Sequence, residues 1–401
     1  MRSLRGLKSM GFVSFVVIAL AVGSAWAAGP PTKPPEKYAG VDKLPDINIR
    51  YATLTGKKHA TFMGLDRYWP AVQKASGGKI KARIFAGGVL LGAKETLRGV
   101  KDGTADSGHV VITYEAAALP QSSVMMDMAM LIDDGVAAAG ATSEMICLHP
   151  ELFKDDLEKN DIQMFGMYAT STYGQMSKVP IRTADDLKGK KVRCGGHAWV
   201  RAAEYMGAVP IQLSLSDCYE GLQRGTLDVL WGATDYLRGY KFWDVIKYVT
   251  EYPLGAFNGT ATPSFGNKFW KPLPKVAKRI LIDNMPIVVA GTTIDGYIIK
   301  DAEAKQTAIK KGIKFIKPEA DLAKKIDAFR EHDLANIINF EVKERGLSKE
   351  RATAIRDNFV KLYKKWKRIS EEEVKDNTKK FEAVLYREIY GPLVYKLGLA
   401  D

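Results

Sequence analysis

Catalytic punctuation is what this chain lacks. It has no GxSxG elbow, no HExxH, no GxxxxGK[ST] loop and no CxxC pair, so the commonest signatures of hydrolase, zinc, nucleotide and thiol chemistry are missing. Its five histidines, His59, His109, His149, His197 and His332, show no metal-ligand spacing and read as structural or surface residues. With three Cys and 17 Pro in 401 residues, a disulfide-stapled miniprotein and a collagen are excluded. What is present is ordinary globular composition, 46% hydrophobic and 26% charged, sufficient for one large or two medium domains. The charge is lopsided: 59 Lys+Arg against 46 Asp+Glu gives +13. Such an excess suits nucleic acid, a membrane surface or a small anion, and composition alone does not choose.

An export signal narrows the choice. Arg2, Arg5 and Lys8 form a basic start, Phe12–Val22 is almost unbroken apolar sequence, and Ala25-Trp26-Ala27 supplies a small-x-small cleavage pattern. Residues 1–27 therefore read as a signal peptide cut before Ala28. Its apolar core is short for a membrane span, no later stretch reaches eighteen apolar residues, and no Cys near the cut offers a lipid anchor. The expectation is a periplasmic chain with no direct membrane insertion and no nucleic-acid partner. Removing the three basic leader residues leaves +10. In an oxidising compartment a Cys194–Cys218 bridge stays open, but the expectation is three buried thiols, Cys147 included. Asn258-Gly-Thr260 matches a glycosylation sequon, a pattern frequent by chance. Residues 28–45, rich in Pro, are expected to be an extended, poorly ordered leader.

The most informative feature is an internal echo. Val100-Lys-Asp-Gly-Thr-Ala-Asp106 and Leu222-Gln-Arg-Gly-Thr-Leu-Asp228 share one pattern, with their glycines 122 residues apart. In each, Gly is expected to end a helix in the left-handed conformation, with a strand following. Upstream, Ile47–Leu54 alternates as a strand, and Phe62, Leu65, Trp69 and Val72 recur at helical spacing before Gly77-Gly78. Lys79–Phe85 alternates again, and Ala93–Asp102 reads as a helix. The second copy repeats this with a strand at Lys190–Cys194, a helix at His197–Met206 and a strand at Val209–Leu213. A helix capped by Ser216 then runs to Arg224. Each copy is β-α-β-α-β, which implies a parallel sheet with helices on both faces and a cleft between two lobes.

The C-terminal part reads as helical. Leu273–Asn284 and Ala320–Glu344 are expected helices, with Pro286 ending or kinking the first. Around Phe359–Arg368 the apolar residues Phe359, Leu362, Tyr363 and Trp366 fall on one helical face and four lysines on the other. That is a core face and a solvated face rather than a polyanion site.

A small-anion site is suggested at one strand end. Ligands in parallel α/β sheets bind beyond the carboxyl ends of strands. Arg193 occupies that position in Lys190-Lys-Val-Arg-Cys-Gly-Gly196, where its fork can take a carboxylate through two hydrogen bonds and Gly195-Gly196 allow close backbone approach. A salt bridge at the surface or between lobes is the competing reading.

From about Asn48 to Pro318 the chain resembles the substrate-binding proteins of tripartite ATP-independent periplasmic (TRAP) transporters, the C4-dicarboxylate-binding type (family 7 extracellular solute-binding proteins). The resemblance rests on Gly77-Gly78-Lys-Ile with Leu91-Gly92, the two Gly-Thr-x-Asp echoes, and Arg182-Thr-Ala-Asp-Asp-Leu-Lys-Gly-Lys-Lys-Val-Arg193. Gly207-Ala-Val-Pro210, Tyr219-x-x-Leu-Gln223 and Phe269-Trp-Lys-Pro-Leu-Pro274 complete it. It implies an α/β, two-lobed periplasmic-binding-protein fold, each lobe a mainly parallel sheet flanked by helices, with a long interdomain helix and a helical C-terminal tail. Lobe I is expected over 46–169 plus about 250–290, lobe II over 170–249 plus about 291–330, and a helical extension over 331–401. By the resemblance Arg193 pairs with the substrate carboxylate, Gly195 approaches it, and Thr53 and Leu215 join the lining.

Departures from the family pattern bear on the ligand. Gly232 stands where many relatives have an Asn. Thr172-Tyr173 stand where sialic-acid binders place a second Arg, and Leu230 precedes Trp231 where metal-bridged oxo-acid binders have Glu. Trp231, Tyr173, Trp199 and Tyr114 then suggest an aromatic-sided pocket for a monocarboxylate with an apolar body. The expected partners are a small organic carboxylate and the TRAP membrane permease subunits, with no cofactor, no metal and no catalysis. An exported enzyme using the same cleft, or a receptor feeding a sensor or an ATP-driven permease, stays open.

Overall fold

The computed structural model describes residues 29–400, so the expected signal peptide and its cut lie outside the described residues. Twelve strands occur among them: β1 (Ile47–Ala52), β2 (Ile80–Phe85), β3 (Ser107–Val111), β4 (Ile162–Met164), β5 (Met167–Tyr168), β6 (Gly174–Ser177), β7 (Lys191–Cys194), β8 (Val209–Gln212), β9 (Val229–Gly232), β10 (Tyr248–Thr250), β11 (Thr260–Gly266) and β12 (Lys314–Ile316). They form two sheets, β2-β1-β3-β11-β4 with β5 beside β11, and β12-β10-β6-β9-β7-β8. The echo in the sequence is an echo in the sheets. Each has a parallel trio, β2-β1-β3 or β8-β7-β9, with an antiparallel strand, β11 or β6, set against the last strand of the copy. The sheets are thus mixed: β11 and β12 join their sheets after the chain has crossed to the other lobe and back, whereas β6 opens the second lobe's own run of strands.

The helices that matter are α1 (Thr61–Ala75), α2 (Thr96–Asp102), α3 (Gly135–Leu148), α4 (His197–Met206), α5 (Cys218–Arg224), α6 (Lys275–Asp283), α7 (Met285–Ala290), α8 (Ile299–Lys310), α9 (Ala320–Arg345), α10 (Lys349–Ile369), α11 (Thr378–Leu385) and α12 (Gly391–Lys396). Helix α1 buries Phe62, Leu65, Trp69 and Val72, the stripe that its periodicity predicts. Helices α2 and α5 end on Gly103 and Gly225 at φ 84° and 74°, conformations that a Cβ disfavours. Ser216 is not the cap of α5. A 3-10 turn, Leu215–Asp217, precedes that helix, and the Ser216 hydroxyl bonds instead with Ser214 Oγ at 2.6 Å.

Besides α9, three connections join the lobes. Two lie side by side as an extended pair: Thr170 N–H donates to Phe257 O at 2.8 Å, and Tyr173 N–H donates to Gly255 O at 2.8 Å. The third is helical, running from α7 through a π turn, Gly291–Ile298, into α8. Pro286 ends α6 and starts α7, where its missing N–H costs no hydrogen bond. Two hydrophobic cores follow from this layout, and α9 feeds both: Leu322, Ile326 and Phe329 pack in one, Ile337 and Ile338 in the other.

Residues 29–45 are not a loose leader. Tyr38 and Leu44 are buried in the core of the first lobe. Helix α10 buries Phe359, Leu362 and Trp366 and exposes Lys361 and Lys364, as its spacing predicts. Cys147, Cys194 and Cys218 are free and buried. Asn258 of the sequon is 1% exposed, which leaves no room for a glycan. No described helix is long and apolar enough to cross a membrane.

Candidate functional site

The carboxyl ends of the parallel strands face one another across a cleft. From the first lobe, the segment after β1 brings Thr55 and His59, β3 brings His109 and Val111, and the turn after β3 brings Tyr114. From the second, β7 brings Arg193, the segment after β8 brings Leu215, and the turn after β9 brings Tyr236 and Tyr240. Tyr173 and Phe257 come from the extended connections, and Tyr297 from the π turn. The lining is strongly aromatic, and Arg193 is the one cation in it among the described residues.

Arg193 is 2% exposed. Its Nε–H donates to Leu213 O at 3.1 Å and Nη1–H reaches Trp231 O at 3.5 Å. No carboxylate of the described residues pairs with it within 4.0 Å. Burial opposes its charge, and the nearest titratable groups are the Tyr114, Tyr173 and Tyr236 phenols and the Cys218 thiol, which offset that cost only when ionised. A buried guanidinium with only carbonyl and phenol neighbours is under-compensated, since burying a charge without a counter-charge is costly. Gly195 makes room for it, because a Cβ there would stand 2.9 Å from Arg193 Nη1.

The neighbours are neutral polar groups. Burial raises the phenol of Tyr114 and pushes that of Tyr173 up to about 12, so both keep their protons at neutral pH. Burial likewise drives His59 and His109 down to about 3, Arg238 adding to the effect on the first and His59 on the second. His109 is held on both sides, by Thr53 Oγ1 at 3.1 Å and Tyr168 OH at 3.2 Å.

Arg193, Tyr173, Tyr114 and Leu215 meet in this space, and Gly195 opens on its vestibule with Gly196, Thr113 and Ser214. The other expected residues stand one layer back. Trp199 stacks on Tyr173 at 4.8 Å between centroids and donates to Leu254 O at 2.7 Å. Trp231 lies in the second core with its N–H on Gln175 at 3.1 Å, giving the cleft only its carbonyl. Gly232 sits under the Tyr236 ring, where a Cβ would come within 2.6 Å. Thr172 pairs with Ala256 in the connecting segments, and Thr53 is buried behind His109. Sequence reasoning missed His59, His109, Tyr168, Tyr236, Tyr240 and Tyr297. His109 lies within β3 and His59 seven residues beyond β1, so the strand-end rule does not mark them, whereas the i,i+4 pair Tyr236 and Tyr240 after β9 was a legible signal.

The family model for bacterial extracellular solute-binding protein, family 7, matches residues 51–339, which takes in both sheets and the cleft. The chain belongs to this family. The 2,3-diketo-L-gulonate-binding periplasmic protein of Escherichia coli is 22% identical over 205 residues, 51% of this chain and 61% of that protein. The chain thus spans about three fifths of the length of that curated relative. Among solved structures, a TRAP solute binding protein from Rhodoferax ferrireducens, in complex with copurified benzoate, has 20% identity and TM-score 0.67, covering 79% of this chain and 99% of that one. A marine metagenome TRAP solute binding protein specific for aromatic acid ligands, in complex with metahydroxyphenylacetate, has 17% identity and TM-score 0.69, covering 80% and 99%. These are likenesses of fold. They leave about a fifth of this chain without a counterpart, and the family model stops before α10–α12. As a family 7 solute-binding protein, the chain is an extracytoplasmic binding protein.

Proposed function

We propose that this family 7 protein is a periplasmic receptor of a TRAP transporter that closes its lobes on an organic monocarboxylate and delivers it to the membrane permease. One observation carries the reading: Arg193 is buried in the cleft with no acidic partner among the described residues. A ligand carboxylate supplies the missing charge and takes two parallel hydrogen bonds from the fork, strengthened as closure expels water. Tyr114, Tyr173, Tyr236, Tyr240, Tyr297 and Phe257 supply flat apolar walls with a few hydroxyls, which suits a ring-bearing acid. The benzoate and metahydroxyphenylacetate complexes of proteins with this fold support that class. Closure brings both lobes into one register, and a permease that reads that register takes up only the loaded form.

Isothermal titration of the wild type and Arg193→Ala against carboxylates and their amides tests it. The acid should bind and its amide should not, and Arg193→Ala should cost about 2–5 kcal/mol. Preference for neutral or cationic solutes, or unchanged affinity in Arg193→Ala, would sink the carboxylate assignment.

A further inference from the structure

We propose that the cleft has a second recognition pole at His59, which selects acids carrying an uncharged hydrogen-bond acceptor, a hydroxyl or carbonyl oxygen, at the end remote from the carboxylate. This rests on the carboxylate reading of Arg193 and adds the ligand's other end.

His59 is 7% exposed and lines the same cavity as Arg193, from the opposite lobe. The hydrogen bonds around it fix its tautomer. Thr61 N–H donates to His59 Nδ1 at 3.3 Å, and the Thr61 hydroxyl stands 3.1 Å from the same atom. Nδ1 is therefore the acceptor, and in the neutral ring the proton sits on Nε2. The ring is neutral because burial strongly disfavours its charge. Nε2–H has no acceptor among the described residues, whereas His109 uses both its nitrogens. Thr61 Oγ1 is itself anchored by Thr55 Oγ1 at 2.9 Å, and the rings of Tyr240 and Tyr297 meet the imidazole edge to face at 5.6 and 6.0 Å. The donor is thus held in place by a short chain of hydroxyls and two flanking rings. The one cation that acts on His59, Arg238, is occupied by Asp235 at 2.6 Å. An uncharged acceptor therefore fits this pole and a second carboxylate does not. An acid without the acceptor closes over an unpaired buried N–H, which is where discrimination arises.

The test is isothermal titration of the full mature chain with benzoate and phenylacetate, their 3- and 4-hydroxy derivatives, and terephthalate. The wild type should prefer at least one hydroxy acid to its parent by about tenfold or more. His59→Phe should erase that preference while still binding the parent acid. His59→Gln, whose amide N–H reaches a similar position, should keep part of it. Equal affinity for parent and hydroxy acids, an equal loss for both in His59→Phe, or terephthalate binding as tightly as the hydroxy acid would overturn the second pole and leave Arg193 standing. If no acid binds the wild type, or Arg193→Ala binds them unchanged, the carboxylate reading fails and this one with it.

Discussion

Arg193 and the two cleft histidines solve one problem in opposite ways. A charge cannot be left in a dry wall without a partner, so a buried base either gives up its proton or waits for an anion. Arginine cannot give up its proton and the histidines can. That contrast predicts a pH effect of definite sign. His109 binds a proton near pH 6.5 when unfolded but only near pH 3 when folded. Its contribution to stability is complete above pH 6.5 and is lost as pH falls toward 3, because the unfolded chain then takes up the proton first. Asp301, pushed up to about 7 by burial, acts in the reverse direction, so a difference between variants is the clean readout. Urea unfolding should show the wild type losing about 2 kcal/mol more than His109→Gln between pH 6 and 4.5. Parallel stability curves would remove the neutral-histidine description. Sequence pattern found Arg193 because strand ends and glycines mark it. It missed His59 and His109 because nothing in a lone His reports which side of a sheet closes over it.

Helices show where periodicity speaks and where it is silent. The face of α10 was legible because one side meets solvent. What it covers was not legible, since α3 is buried along nearly all its length and carries no stripe. The two fit through a small-to-large contact. Trp366 lies over Gly140, where a Cβ would come within 2.2 Å of the indole. Its N–H donates to Glu144 at 2.6 Å, and Lys365 pairs with the same carboxylate at 2.9 Å. Tyr390 O–H reaches Phe165 O at 2.8 Å. The helices beyond the family model thus brace the back of the first lobe, away from the cleft. Trp366→Ala should therefore cost about 3–5 kcal/mol in chemical denaturation, while the folded protein keeps its affinity for the acid. A large loss of affinity with unchanged stability would instead place this helix in the binding apparatus.

At the scale of the molecule, α9 does what neither sheet can, because it enters both cores and carries the ion pairs between the lobes. Arg201, on α4 of the second lobe, donates from Nε to Asp333 Oδ1 at 2.6 Å and from Nη2 to Asp333 Oδ2 at 2.9 Å and Asp127 O at 2.7 Å. Asp127, packed with the first lobe, also accepts from Arg345 Nε at 2.8 Å. Burial and Asp127 raise the pKa of Glu341 beside them, yet it stands 3.1 Å from Arg345 Nε, so Arg201 and Arg345 face the carboxyl groups of Asp127, Asp333 and Glu341. The sequence predicted α9 but gave no hint of this network, whose members lie far apart along the chain. Removing one member leaves a buried partner uncompensated, at about 3–5 kcal/mol, and the loss falls on the junction between lobes. Arg201→Met should therefore lower the population of the closed form. Apparent affinity scales with that population, so every ligand should weaken by a common factor and selectivity at the His59 pole should not change. Small-angle scattering of the ligand-free variant should show a larger radius of gyration than wild type, with the difference shrinking as acid is added. Unchanged affinity together with an unchanged radius would show that α9 holds the lobes by its apolar contacts alone.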